Sequence, residues 1–212
     1  MILLFNFTPQ KTSLMIKRHF HRRNLPHLYY NEGIYFVTFR PYGSILPNEL
    51  KKLRELNQSN EIVTAQEQKK IFKRYDSLLD KPRNEIQYLS QPEILAICKS
   101  SLHFYDGREY KLICYCIMPN HIHLVFELLN KERNIGNIMG SVKKFIARES
   151  NKILGRKGTF WQSESFDTLI RDDVDLYFII KYVLMNPVSA GLVESWNDWR
   201  GTYCRPEYEV ID

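Results

Sequence analysis

The segment covering residues 110–128 constrains the fold most, because it contains two strand-like runs joined by a very short connection. Residues 110–117 and 121–128 are rich in β-branched and aromatic side chains, which favour strands. Only Met118, Pro119 and Asn120 separate the two runs, and so short a link brings two strands together as an antiparallel pair. The sequence therefore predicts a β-hairpin near the centre of the chain.

The elements around this hairpin define an α+β plan. Residues 33–40 and 159–170 have strand character, and apolar residues at helical spacing mark 47–57, 65–79, 92–104, 134–154 and 174–185. Asp172 and Asp173 can cap the last helix, and Asn186 with Pro187 is predicted to end it. The order predicts a ferredoxin-like (RRM-like) α+β fold. This fold has one antiparallel sheet with helices on one face, and here a helical insertion follows the first strand.

The length of 212 residues suits one domain with an insertion. We predict a domain over residues 23–205, with the insertion at about 47–105. Residues 1–22 are interpreted as an N-terminal extension, explained either by disorder or by a start at Met15, and 206–212 as a C-terminal tail. No apolar run approaches the ~18 residues of a membrane span. The four cysteines form no CxxC pair and are predicted to be reduced, as in a cytoplasmic protein.

Two histidines in the second strand of the hairpin share one face. His121 and His123 are two residues apart, so they point to the same side, while Ile122 points to the opposite side and into the core. Two neighbouring imidazoles make half of a site for a divalent metal ion. Histidines without any ligand role fit the same spacing, so the pair alone leaves both interpretations open.

Tyr182 and Asn186 lie four residues apart on the last predicted helix, and hence one turn apart on one side. The amide oxygen of Asn186 could serve as a further metal ligand, and Tyr182 could then reach a phosphate on that metal. An unperturbed phenol has a pKa of about 10, so it needs a metal ion or a base to act as a nucleophile. The alternative is that Tyr182 packs at the edge of the core and Asn186 only ends the helix.

With these residues the sequence resembles the single-tyrosine HUH transposases (IS200-like), and among them the REP-associated tyrosine transposases, which act on palindromic repeats in bacterial genomes. The resemblance extends over roughly residues 23–203. In chain order, the matching motifs are Arg23-Asn24-Leu25-Pro26-His27, Tyr35-Phe36-Val37-Thr38-Phe39-Arg40, Met118-Pro119-Asn120-His121-Ile122-His123, Phe160-Trp161-Gln162, Ile170-Arg171-Asp172 and Tyr182-Val183-Leu184-Met185-Asn186-Pro187-Val188-Ser189-Ala190-Gly191-Leu192-Val193.

The resemblance implies an enzyme that cuts and rejoins single-stranded DNA. His121 and His123 would hold Mg²⁺ or Mn²⁺, with Asn186 as third ligand at a place where insertion-sequence relatives have Gln. Tyr182 would be the catalytic nucleophile and would form a 5′-phosphotyrosine, leaving a free 3′-OH. The implied partner is single-stranded or hairpin DNA, bound by a monomer or homodimer in the bacterial cytoplasm, in association with the nucleoid.

The charge of the chain agrees with a polyanionic partner, because the net charge is +6 and the pI about 9.0. The alternatives are an acidic lipid or a basic surface kept for solubility. Candidate DNA-binding residues are Arg22, Arg23, Lys143, Lys144, Arg148, Lys152 and Arg171. Residues 144, 148 and 152 form one helical row, although each cation alone also fits a solvated surface.

Two other functions fit the same motifs. The first is a domesticated protein that binds hairpin DNA without moving it. The second is a metal-dependent phosphoesterase that uses water in place of Tyr182, whose products would carry no attached protein. Detecting a covalent adduct between protein and DNA separates both from the transposase hypothesis.

Overall fold

The computed structural model describes residues 17–22, 26–30, 32–55, 65–79, 86–130 and 132–209. Its strands are β1 (Lys17–Arg22), β2 (Pro26–Tyr30), β3 (Gly33–Phe39), β4 (Tyr110–Met118), β5 (His121–Leu128), β6 (Phe166–Ile170) and β7 (Thr202–Cys204). Its α-helices are α1 (Pro47–Glu55), α2 (Ala65–Leu79), α3 (Pro92–Phe104), α4 (Ile135–Ile153) and α5 (Asp173–Ser189). Short 3₁₀ helices span Tyr88–Ser90, Trp196–Asp198 and Pro206–Tyr208.

The central sheet has five antiparallel strands in the order β6-β3-β5-β4-β7. Met118 pairs with His121 across β4 and β5, so Pro119 and Asn120 alone form the turn, and the predicted hairpin is confirmed. β5 is the middle strand, with β3 on one side and β4 on the other. The histidines of β5 therefore lie at the centre of the sheet.

Helices cover both faces of this sheet rather than the single face that the sequence analysis expected, although the predicted α+β class is confirmed. Helices α3 and α4 pack on the face that carries Tyr35 and Leu124. Helices α2 and α5 pack on the face that carries Phe36 and Val125. The reason is that β3, β4 and β5 are buried at nearly every position, so both of their faces need an apolar cover.

The ends of the domain are more structured than predicted. β1 and β2 form a separate antiparallel pair, although residues 17–22 belong to the predicted extension. Tyr208, in the predicted C-terminal tail, is buried and belongs to the same core cluster as residues of α2 and α5. The edge strand β7 was not predicted at all, since it contains only three residues.

Helix α5 begins as predicted but continues past its expected end. The side chain of Asp172 caps it by accepting a hydrogen bond from the backbone of Asp175. Pro187 lies inside the last turn, where its missing N–H removes only one helical hydrogen bond. The turn closes through Gly191, whose φ of 69° is easily adopted only by glycine. Asn186 is thus held in regular helix, one turn from Tyr182.

The run at 159–170 forms a strand only over its last five residues, as β6. The preceding residues turn over α4 instead, where the indole of Trp161 donates a hydrogen bond of 2.8 Å to the carbonyl oxygen of Lys143. Within the part of the chain described above, no helix is long and apolar enough to cross a membrane.

Candidate metal and tyrosine site

His121 and His123 lie side by side on the face of the sheet that α2 and α5 cover. Both are fully buried, and their Nε2 atoms are 3.0 Å apart. Ile122 points to the opposite face and into the core beneath α3 and α4, as strand alternation predicts. The shared direction of the two imidazoles, inferred from the sequence, is therefore present in the fold.

Hydrogen bonds fix the orientation of both rings. The Nδ2 of Asn120 donates to the backbone oxygen of Leu79 over 2.8 Å, which leaves its Oδ1 facing the Nδ1 of His121 at 2.7 Å. Because Oδ1 can only accept, Nδ1 of His121 carries the proton and Nε2 offers a lone pair to the site. The Nδ1 of His123 is held by the Thr38 hydroxyl at 2.8 Å. Such outer hydrogen bonds are typical of metal-binding histidines.

Tyr182 and Asn186 project from α5 onto the same place. The Tyr182 hydroxyl lies 3.2 Å from Nε2 of His123, and Nδ2 of Asn186 lies 3.2 Å from that hydroxyl. Asn186 is only 5% exposed, and its Oδ1 has no hydrogen-bond partner among the described residues. The four residues singled out in the sequence as nucleophile and ligands are thus brought together, and their roles remain predictions.

Asp76 completes the cluster, and the sequence analysis missed it. Its Oδ1 accepts a hydrogen bond of 2.5 Å from the Tyr182 hydroxyl and lies 3.7 Å from Nε2 of His123. Ligand atoms of Asp76, His121 and His123 all lie within 4.8 Å of one another. Asp76 belongs to α2, in the segment that was interpreted only as an insertion. Its one sequence signal is its place beside the apolar residues of an amphipathic helix, which is common and points to no chemistry.

Burial keeps both histidines uncharged. It lowers the pKa of His121 to about 3, although a hydrogen bond with Asn186 acts in the opposite direction. Burial, together with the neighbouring His121, also holds the pKa of His123 well below its ordinary value. The ring of Phe36 stacks on His123 with a centroid distance of 5.6 Å and forms part of the apolar wall. Neutral imidazoles are the form that binds metal ions.

The cluster has the properties expected of a divalent cation site. The two Nε2 atoms, 3.0 Å apart, can share either a proton or a cation, and 3.0 Å is about the spacing of neighbouring ligands in an octahedral site with bonds of ~2.1 Å. The Asp76 carboxylate and the unpartnered Oδ1 of Asn186 add oxygen donors. Imidazole nitrogen with carboxylate and amide oxygen is a donor set that Mg²⁺ and Mn²⁺ accept.

Among the predicted DNA-binding cations whose side chains are described, Arg171 alone lies beside this site. Lys143 is mostly buried, and it donates hydrogen bonds to the Gln162 backbone oxygen and the Ser165 hydroxyl at 3.1 and 3.2 Å. Burial, with a contribution from Arg40, lowers its pKa to about 8. Lys143 therefore holds the 158–165 loop against α4, on the face of the sheet opposite the histidines.

The other predicted cations are dispersed. Lys144, Arg148 and Lys152 are exposed on α4, and the latter two both pair with Glu149. Arg171 precedes α5 and lines a cavity that reaches Tyr182. The backbone of Arg22 lies in β1, its side chain is not described, and Arg23 lies outside the described residues.

Known proteins resemble this chain in sequence. A family profile described as "Transposase IS200 like" matches residues 78–186, more than half of the chain. A putative REP-associated tyrosine transposase of Haemophilus influenzae is 31% identical over 99 residues, which are 42% of this chain and 56% of that protein. A REP-associated tyrosine transposase of Escherichia coli is 24% identical over 92 residues, 43% of this chain and 53% of that protein. The chain thus spans about half the length of these curated relatives.

A solved structure shares the fold. It is described as a REP-associated tyrosine transposase bound to a REP hairpin, and the TM-score is 0.53 at 16% sequence identity. The likeness covers 87% of this chain and 81% of that one. At this level of identity the match supports the sheet and helix arrangement. The family profile, for its part, begins two residues after Asp76, so the carboxylate of the site lies outside the matched segment.

Proposed function

The chain belongs to the IS200-like transposase family, and from this premise we propose that it is a metal-dependent endonuclease and strand transferase for single-stranded DNA. The substrate would be hairpin or palindromic repeat DNA, and the reaction would pass through a 5′-phosphotyrosine on Tyr182. One observation carries the proposal. The Tyr182 hydroxyl lies 3.2 Å from a neutral buried histidine and 2.5 Å from a carboxylate, at a cluster with the donors of a cation site.

The cleavage step uses the hydrogen bond between Tyr182 and Asp76. The phenolic oxygen of Tyr182 attacks the phosphorus of a phosphodiester while its proton passes to Oδ1 of Asp76. A new P–O bond to Tyr182 forms, and the bond from phosphorus to the 3′ oxygen breaks. The leaving 3′ oxygen takes a proton from water and becomes a 3′-OH, while the 5′ phosphate stays on the tyrosine.

The joining step reverses these changes with a different DNA end. A 3′-OH loses its proton to water and attacks the phosphorus, a new P–O bond to the 3′ oxygen forms, the P–O bond to Tyr182 breaks, and Tyr182 recovers its proton from Asp76. The phosphotyrosine conserves the energy of the broken bond, which suits rejoining better than hydrolysis. Burial of His123 beneath Phe36 and α2 supports this, because it limits the access of water to the attacking side.

His121, His123 and Asn186 would hold Mg²⁺ or Mn²⁺, with Asp76 also in reach. When bound, the ion would polarise the phosphodiester and stabilise the charge that develops on its oxygens. Asn120 and Thr38 contribute by fixing the two imidazole rings. Hairpin DNA as the substrate is supported by the REP-associated relatives and by a fold neighbour that is itself described as bound to a REP hairpin.

A denaturing gel with a labelled single-stranded hairpin tests the proposal. We expect a covalent band of protein and DNA with Mn²⁺, which disappears with a chelator or in Tyr182→Phe. Tyr177→Phe is a matched control on the same helix and should keep the band. A full yield of adduct from Tyr182→Phe would refute the assigned nucleophile. Tight binding without nicking under any divalent metal would favour the binding-only alternative, and nicks without attached protein would favour hydrolysis.

A further inference from the structure

An aromatic cavity adjoins the tyrosine, and neither histidine lines it. It lies between α2, β6 and α5 and has a volume of about 360 Å³. Its walls include Phe72, Phe166 and Phe178, and Tyr182 itself lines it. The ring of Phe72 meets those of Phe166 and Tyr182 at centroid distances of 4.9 and 5.4 Å. The nucleophile therefore stands between the cation site and an apolar recess.

Phe178 is an unusual member of this wall, because it is 61% exposed to solvent. It precedes Tyr182 by four residues, so the two rings lie on the same side of α5. Neither the core nor the turn geometry of α5 requires an aromatic residue at an exposed position. An exposed aromatic ring beside a cavity is available to stack on a nucleobase.

The rim of the cavity is charged and mainly positive. Lys69, Lys73 and Arg171 line it, together with Asp76 and Asp175. The Nζ of Lys69 lies 2.8 Å from the carboxylate of Asp175, and this ion pair links α2 to α5 at the cavity mouth. Cations around an aromatic recess complement a ligand with a flat ring and a phosphate backbone.

We propose that this cavity, called here the base pocket, binds one nucleobase of the strand next to the scissile phosphate. The inference rests on the proposed function, since the position of that phosphate follows from the role of Tyr182. The volume is at the lower end of the range for small-molecule sites, about 300–1,000 Å³, and suits a single nucleoside. Stacking on aromatic rings requires a base outside a duplex, which agrees with a single-stranded segment.

The base pocket would also give the helical insertion a function in DNA binding. Helix α2 supplies Lys69, Phe72 and Lys73 to the pocket and Asp76 to the cation cluster. Residues of one helix thus contact both the reacting group and the adjacent nucleotide. The identity of the residues on α2 would set which base is accepted beside the cleavage point.

Binding of a mixed-sequence oligonucleotide of about 12 nucleotides, measured by fluorescence anisotropy with Mn²⁺ present, tests this proposal. The comparison probe is an abasic oligonucleotide of the same length. We expect Phe178→Ala to weaken binding of the first probe about tenfold, as loss of one stacked base predicts, and to leave the abasic probe unaffected. Phe104→Ala removes an equally exposed ring from α3, which packs on the other face of the sheet, and should change neither affinity. Phe178→Trp should retain binding, and its added fluorescence should be quenched by the first probe alone.

The outcomes separate the pocket from the catalytic proposal. Equal affinity of Phe178→Ala and the unmodified protein for both probes would overturn the base pocket, even if the adduct on Tyr182 forms normally. A base-dependent loss with Phe178→Ala in a protein that never forms an adduct would support the pocket and refute the transferase. A uniform loss for both probes would indicate a general phosphate contact and would also overturn the pocket.

Discussion

Replacing Asp76 with asparagine tests the arrangement of the site most sharply, because it changes the proton acceptor with little change of shape. The amide oxygen of the new side chain could still accept the hydrogen bond that Tyr182 donates over 2.5 Å. It could not take the proton, so the phenol would have to lose it to water. A positioned general base contributes roughly 10²–10⁴-fold to a rate, and a loss near the lower end, about 100-fold, is expected here because a bound cation would also acidify the phenol.

The assay is the rate of adduct formation on a labelled hairpin under single-turnover conditions, at several concentrations of Mn²⁺. Asp198→Asn changes an exposed carboxylate in the 3₁₀ helix Trp196–Asp198 and serves as the matched control. The free energy of unfolding should change by about 1 kcal/mol or less in Asp76→Asn, since the amide keeps both the shape of the side chain and an acceptor for the Tyr182 hydroxyl.

The metal titration distinguishes two roles for the carboxylate. If Asp76 acts as the base, the rate of Asp76→Asn remains low at saturating Mn²⁺. If Asp76 acts mainly as a ligand, excess Mn²⁺ restores the rate, and only the half-saturating concentration increases. A variant as fast as the unmodified protein at every concentration of Mn²⁺ would refute both roles, and the 2.5 Å contact would then be structural only.

Burial and charge lead to three further expectations. Mn²⁺ at about a hundred times its dissociation constant should stabilise the fold by about 2.7 kcal/mol in thermal unfolding, and His123→Gln should remove this gain. An equal gain in both proteins would argue against the metal site. With a chelator present, the free energy of unfolding should fall as the pH drops from about 6.5 towards 3. The reason is that His121 becomes protonated in the unfolded chain but stays neutral in the folded one, which lowers the free energy of unfolding by about 1.4 kcal/mol per pH unit. In urea titrations, His121→Gln should show a shallower pH dependence. Lys143→Met should destabilise the protein by about 1 kcal/mol because it leaves two acceptors of the 158–165 loop unpaired, whereas Lys144→Met should instead reduce the salt dependence of DNA binding.

The parts of the fold that the sequence predicted are those governed by local periodicity. The alternation in His121–Leu128 placed both histidines on one face, and the spacing of Tyr182 and Asn186 placed them on one side of a helix. The hairpin joined at residues 118–120 was confirmed for the same reason, because so short a link leaves little choice of pairing, although Met118 proved to belong to β4. Each of these inferences needs only neighbours within a few residues.

The features that were missed depend on contacts between distant segments. Asp76 and Tyr182 are 106 residues apart, and nothing in either segment shows that α2 docks beside α5. The same docking places helices on both faces of the sheet, since α2 and α5 together cover the second face. Nothing in the sequence distinguishes Lys143 from a surface cation, and only the path of the 158–165 loop over α4 shows that it is partly buried.

The charge of the cluster has a consequence for the order of events on the enzyme. Because burial keeps both histidines neutral, an ionised Asp76 carboxylate would give the cluster a negative charge when no cation is bound. A phosphodiester approaching it would be repelled, and inside a protein this repulsion is stronger than in water. A bound divalent cation would reverse the sign, so under the proposed mechanism we expect the ion to bind before the DNA backbone reaches Tyr182. The Asp76 carboxylate would thus disfavour the approach of a DNA strand to Tyr182 as long as no metal ion is bound.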